Sequence, residues 1–199
     1  MTRAARTVLT AAALMTSRVA AADEGAPPAR FGDRPHAVTA ILGAGAPTGV
    51  LGVEYEGAPV EWFAVSAGAG MGALSPQAAA MMRIRGVGER YAMGFGGGAS
   101  YGGARISNMD ILGPGSHDEL HGSVWLNSEA YIERRSAAGL VLRFEVGAGR
   151  SIYTSRCDHV EEAGYGLFGT YQEEQVSACS DEQALRVLPF VGFAMGRAF

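Results

Sequence analysis

Several stretches of the chain alternate apolar and polar residues with a period of two. In GLVLRFEVGAG (139–149), Leu140, Leu142, Phe144, Val146 and Ala148 share one face, and Val141, Arg143, Glu145, Gly147 and Gly149 the other. SVWLNSEAYIER sets Val124, Leu126, Ala130 and Ile132 against Trp125, Asn127, Glu129, Tyr131 and Glu133. AMMRIRG sets Met82 and Ile84 against Arg83 and Arg85, and VLGVEYE sets Leu51, Val53 and Tyr55 against Gly52, Glu54 and Glu56. Successive side chains of a strand point to opposite faces, so this pattern predicts half-buried β-strands.

Turn signals divide the pattern into eight expected strands, near 36–43, 49–56, 60–72, 78–86, 90–104, 123–134, 139–154 and 185–199. The connections alternate. EGAP (56–59), GVGE (86–89) and RSAAG (135–139) are short, whereas the long ones fall near 107–122 and 156–184. Short turns therefore gather at one end and long loops at the other, the asymmetry of an antiparallel up-and-down transmembrane β-barrel in an outer membrane. A soluble lipocalin-like barrel, apolar inside and wet outside, gives the same alternation and stays open at this point. Two features favour the membrane. Tyr91 and Tyr101 stand ten residues apart on one face, about 25 Å along the membrane normal, the height of the apolar band. The polar face carries Glu54, Arg83, Arg85, Glu129, Glu133, Arg143 and Glu145, an acid–base mixture suited to a narrow lumen filled by paired charges.

Composition narrows the choice. The chain has 199 residues, 18% of them charged, a net charge of −4 and 29 glycines, about twice the number expected of an average globular chain. There is no basic excess, hence no electrostatic footprint for nucleic acid. The start, MTRAARTVLTAAALMTSRVAAADEG, has Arg3 and Arg6, an apolar stretch from Val8 to Met15, and small residues before Asp23. This reads as a signal peptide over 1–22, followed by a flexible lead-in over 23–35 and a barrel domain over 36–199.

Three other motifs lead elsewhere. VTAILGAGAPTG (38–49) has the glycines of a dinucleotide-binding turn, but a strand pattern follows where that motif needs a helix. The uncharged runs 37–53 and 62–82 are long enough for membrane helices but are broken by Pro47 and Pro76. SHDELH (116–121) offers His117 and His121 to a metal, yet its Gly and Pro flanks read as a polar loop. No metal, cofactor or catalytic set is expected. Ser116, His117 and His121 are the only residues imagined in a hydrolytic role, with His36 and His159 placed elsewhere.

The chain ends in VGFAMGRAF, with Val191, Phe193, Met195 and Phe199 on one face. This resembles the closing strand of bacterial outer-membrane barrels, and the size resembles the small eight-stranded OmpA/OmpX type. Arg197 departs from that pattern, standing where an apolar residue is common. The resemblance implies that the terminal Phe and the alternate residues before it are an assembly signal read by the barrel assembly machinery. The expected protein is a Gram-negative outer-membrane monomer, exported through the periplasm, with outer-membrane lipid around it. Its expected role is structural or surface-presenting, with a lipid A-modifying hydrolase or acyltransferase as the enzymatic alternative. Cys157 and Cys179 bracket the longest outer connection, and export through an oxidising compartment favours their pairing. That loop is acidic and also carries Tyr165, Phe168 and Tyr171.

Overall fold

The computed structural model describes residues 31–88, 91–108, 116–161, 175–179 and 186–199. The segment read as a signal peptide, and the aromatic residues of the long acidic loop, lie outside the described residues. Nine strands form: β1 (His36–Ala44), β2 (Leu51–Val60), β3 (Phe63–Met71), β4 (Pro76–Val87), β5 (Tyr91–Asn108), β6 (Ser116–Arg135), β7 (Leu140–Glu161), β8 (Gln175–Ala178) and β9 (Val187–Ala198). Every pairing is antiparallel. Neighbours in sequence pair with one another from β1 to β7, β9 joins β7 to β1, and the ring closes as an eight-stranded barrel with the short β8 attached outside it to β7.

The closing seam pairs Ala37 with Ala198 and runs to Ala44 opposite Val191. At its end the His36 amide donates to the Phe199 carbonyl (3.2 Å), and the Phe199 amide donates to the His36 carbonyl (2.9 Å). The terminal residue is thus held by two backbone bonds, and closure removes both sheet edges from the barrel wall.

The turns after β2, β4 and β6 lie at the same end as Phe31 and Phe199, as the alternation of connections predicts. The strand lengths differ from expectation on one side. β5, β6 and β7 have 18, 20 and 22 residues, whereas β1 to β4 have 9 to 12. The loop expected near 107–122 is largely a ladder: Asn108 pairs with Ser116, and β6 continues opposite β7 to Glu161. SHDELH is therefore strand, not loop. Leu120 is its one apolar residue, too little for a visible alternation, and its structure comes from partners on either side. Gly122, read as the end of a loop, has φ of 56° where the β5–β6 register shifts, a conformation glycine adopts at no steric cost.

At the short-turn end, the last part of the expected lead-in is ordered. Phe31–Asp33 forms a 3-10 turn, and Phe31 is fully buried. Its ring lies under the guanidinium carbons of Arg85 (5.1 Å) and Arg135 (4.7 Å), closing the lumen with cation–π contacts.

Glycine on the inner face of β5 follows from the narrow bore. A Cβ on Gly94 would overlap the Ile84 carbonyl oxygen, one on Gly98 the Ala80 carbonyl oxygen, and one on Gly96 would meet the Glu129 carboxylate. The outward Gly97 is roomier, its nearest neighbour being the Asn127 carbonyl oxygen at 3.6 Å. Gly98→Val should therefore cost about 1–3 kcal/mol through overpacking, read as a lower urea midpoint for the compact, unboiled gel band. Gly97→Val should leave that midpoint nearly unchanged. Equal effects of the two substitutions would contradict this account of the bore.

Candidate functional site

Two constellations stand out: the charges inside the barrel and a polar cluster on the tall side.

All seven charges expected in the lumen are buried, Arg143 at 1% exposure and Glu133 at 0%. Arg83 binds both oxygens of Glu54 (2.7 and 3.1 Å), Glu129 through Nε (2.5 Å) and the Ser66 hydroxyl (2.9 Å). Arg143 binds Glu54, Glu56 (3.1 Å) and Glu145 (3.2 Å), and approaches Glu133 at 3.5 Å. Arg85 binds Glu56 (3.0 Å) and donates through Nε to the Glu61 carbonyl (2.8 Å). Two members were not among the expected seven. Glu56 is shared by Arg83, Arg85, Arg135 and Arg143. Arg135 binds Glu133 (2.6 Å) and Glu56 (2.9 Å), and donates to the Arg34 carbonyl (2.9 Å). Glu56 shares the polar face of its strand with Glu54; Arg135 opens RSAAG, a segment whose sequence signals a turn.

The strands dictate this clustering. β2, β4, β6 and β7 each present alternate residues inward, and the small bore brings four walls within one side-chain length. Tyr131, also inward, lies over Arg83 with its ring centre 5.7 Å from the guanidinium carbon. Nearer the long-loop end, a cavity of about 50 Å³ is lined by residues including Gln77, Ser100, Trp125, Asn127 and Leu188. That is space for a few water molecules. Asn127 donates to Ser100 (3.0 Å) and Gln77 to the Gly103 carbonyl (2.7 Å), so this level is also filled by bonded polar groups.

The outward face is the reverse. Leu42, Leu51, Met82, Ile84, Met93, Phe95, Ile132, Phe144 and Phe193 are all exposed, Phe95 at 75%. Tyr91 and Tyr101 are exposed at the two ends of this band, with Tyr153 opposite Val124 at the level of Tyr101. Val191, Phe193 and Phe199 point outward with this set, and Met195 is half-buried beside them. Three arginines interrupt the outward face. Arg197 lies near the short-turn end opposite Leu140 and Val38. Arg134 lies at the same end between Tyr91 and Leu142. Arg150 lies opposite Leu126 and Val187, close below the level of Tyr101 and Tyr153. All three are near an edge of the band, where a long stem can carry its charge out of an apolar layer.

The second constellation is on the extension of β6 and β7. Cys157 and Cys179 are joined as a disulfide, Cα atoms 5.4 Å apart, as expected from the sequence. Asp118, fully buried, accepts from His159 Nδ1 (2.5 Å) and makes an ion contact with Arg186 (2.9 Å). Glu119 lies within 3.4 Å of His117 and 3.5 Å of His121, while His121 also approaches Asp158 (3.6 Å). The residues imagined as hydrolytic, His117 and His121, thus share Glu119. Among the described residues no group of three or more His, Cys, Asp or Glu has metal-binding geometry. His159, set aside in the sequence, is the histidine that meets a buried carboxylate. Comparison with protein-family models, curated proteins and solved structures finds no match for this chain.

Removing one partner from a buried ion network leaves its neighbours charged and unpaired, at about 3–5 kcal/mol. Arg143→Met leaves Glu54, Glu56 and Glu145 facing one another, so it should lower the free energy of unfolding by that amount, read from urea unfolding. Adding Glu54→Gln and Glu145→Gln to Arg143→Met should recover part of the loss. The disulfide lies on the extension, so reduction should leave the compact gel mobility intact; its loss on reduction alone would make the bridge a support of the barrel.

Proposed function

We propose that this chain is an outer-membrane β-barrel with a structural, surface-presenting role: the barrel is a pedestal, and the tall β5–β8 side is what it presents. The observation that carries this reading is the inversion of the two faces. Large apolar residues point out from every wall of the barrel, while the inside holds paired charges. In water the outward band would be an aggregation surface. Surrounded by lipid chains it is the solvent-facing side, and the lumen keeps every charge away from hydrocarbon. Strands of 9 to 12 residues match the length that crosses a bilayer when tilted.

On this reading residues 1–22 direct export, the termini and short turns face the periplasm, and β5–β8 project outside the cell. Barrel assembly machinery takes Val191, Phe193, Met195 and Phe199 as its signal, and the barrel works as a monomer. A soluble barrel binding an apolar ligand fits less well, since such a ligand would have to displace paired charges from a filled lumen.

Single cysteines at positions 93, 95, 132 and 144, each carrying a small fluorophore, should be quenched by brominated-chain lipid after reconstitution. One at the buried, inward Asn127 should not. The protein should also fractionate with outer membranes and run faster unboiled than boiled. Quenching at 127 with none at 95 and 144 would turn the barrel inside out and restore the soluble reading.

A further inference from the structure

β8 pairs with β7 so that His159 stands opposite Ser177, and β7 pairs with β6 so that Asp118 stands opposite His159. Residues opposite one another in an antiparallel ladder share a face. Asp118, His159 and Ser177 therefore form a row across three adjacent strands, carboxylate, imidazole and hydroxyl in that order. We propose that these three residues are a hydrolytic triad on the outer extension, acting on carboxylic esters that reach it from the water phase.

The geometry orients each group. Asp118 is fully buried, with Arg186 at one oxygen and His159 Nδ1 at the other. Nδ1 of the ring is held by Asp118 on the β6 side, and Ser177, exposed, stands opposite His159 on the β8 side of the same face. A base oriented by a third group beside a hydroxyl is the arrangement that activates serine. The disulfide fixes the register on which this depends. Cys157 and Cys179 are the next pair but one along the same ladder, and a slip of one residue would carry Ser177 to the other face.

The Cys179 amide donates to the Cys157 carbonyl (3.2 Å), so 157/179 and 159/177 are hydrogen-bonded pairs. The Ala178 N–H between them turns to the outer edge of β8, which no described strand covers. It is a backbone donor one residue from the nucleophile, suited to a developing oxyanion. In the reaction Ser177 Oγ attacks the ester carbonyl carbon and passes its proton to His159 Nε2. Collapse of the tetrahedral intermediate expels the alcohol, which takes that proton, and leaves an acyl-serine. Water then attacks the acyl carbon, gives a proton through His159 to Ser177, and releases the carboxylic acid.

The height of the row selects the substrate. Asp118 is opposite Ile106, five residues beyond Tyr101, which is about 13 Å above the aromatic level at a strand tilt of about 40°. Acyl esters inside a bilayer lie below that row; esters on water-soluble molecules or on surface glycans reach it. This location rests on the membrane reading, but the chemistry does not.

The test uses the mature chain folded in detergent and a fluorophosphonate probe. Peptide mapping should find the adduct on Ser177, and p-nitrophenyl acetate should be hydrolysed. Ser177→Ala should abolish both. His159→Ala and Asp118→Asn should slow labelling at least 100-fold while keeping the compact gel mobility, and imidazole should restore labelling to His159→Ala. Dithiothreitol should also suppress labelling. Absence of an adduct at Ser177, or equal labelling of wild type and His159→Ala, would overturn the triad. Faster cleavage of phosphatidylcholine vesicles than of the soluble ester would overturn the water-phase substrate. A membrane-impermeant probe should label intact cells; labelling only after lysis would leave the triad and refute the surface location.

Discussion

Ion pairing inside a narrow bore filled by side chains is the constraint on which the structure turns. Five carboxylates (Glu54, Glu56, Glu129, Glu133 and Glu145) and four guanidiniums (Arg83, Arg85, Arg135 and Arg143) share the lower lumen among the described residues. Such charges survive burial only when each is held by several partners, and here Arg83 reaches across to β2, β3 and β6, and Arg143 to β2 and β6. The network ties walls together that the backbone ladder does not join directly. It also sets the requirement for small residues opposite: Gly96 leaves room for Glu129, and Gly192 for Glu145. Phe31 closes the set from below, so the short-turn end is sealed by a ring and not by a loop.

Above that layer the wall becomes unequal. β1 to β4 stop soon after the apolar band, but β5, β6 and β7 continue as a free-standing ladder, with β8 added to its edge. Here no closed lumen dictates which residues are apolar. The side chains are instead matched pairwise: Arg156 with Asp158, Asp118 with His159, Cys157 with Cys179. A two-faced polar ladder has weak register of its own, and a covalent bridge near its tip supplies what apolar patterning supplies lower down.

This difference explains what could be read from the sequence. Where β2, β4, β6 and β7 cross the band, one face is apolar and one charged, and the alternation at Met82–Arg85 or Leu140–Glu145 gives both the strand and its orientation. Glu56 belonged to the same pattern, but nothing local marks it as the most shared carboxylate, since its four partners come from three other strands. The extension was hidden for the opposite reason. Between His117 and His121 only Leu120 is apolar, so period-two reading finds little contrast, and the flanking glycines read as loop signals. The meeting of Asp118 with His159 depends on register across strands forty-one residues apart, information that no window of sequence contains.

The seam between β1 and β9 has a consequence for time as well as for stability. Every other pairing in the barrel wall except β7 with β9 joins neighbours in sequence, but Ala37 meets Ala198 across nearly the whole described chain. Loop-closure entropy makes this the costliest contact to form, and folding rates fall as contacts become less local. A chain still open at this seam presents two bare edges, each competent to pair with another molecule. Once latched, the same seam must break before any strand can peel from an end, so the pair that forms with most difficulty also governs how long the closed form persists.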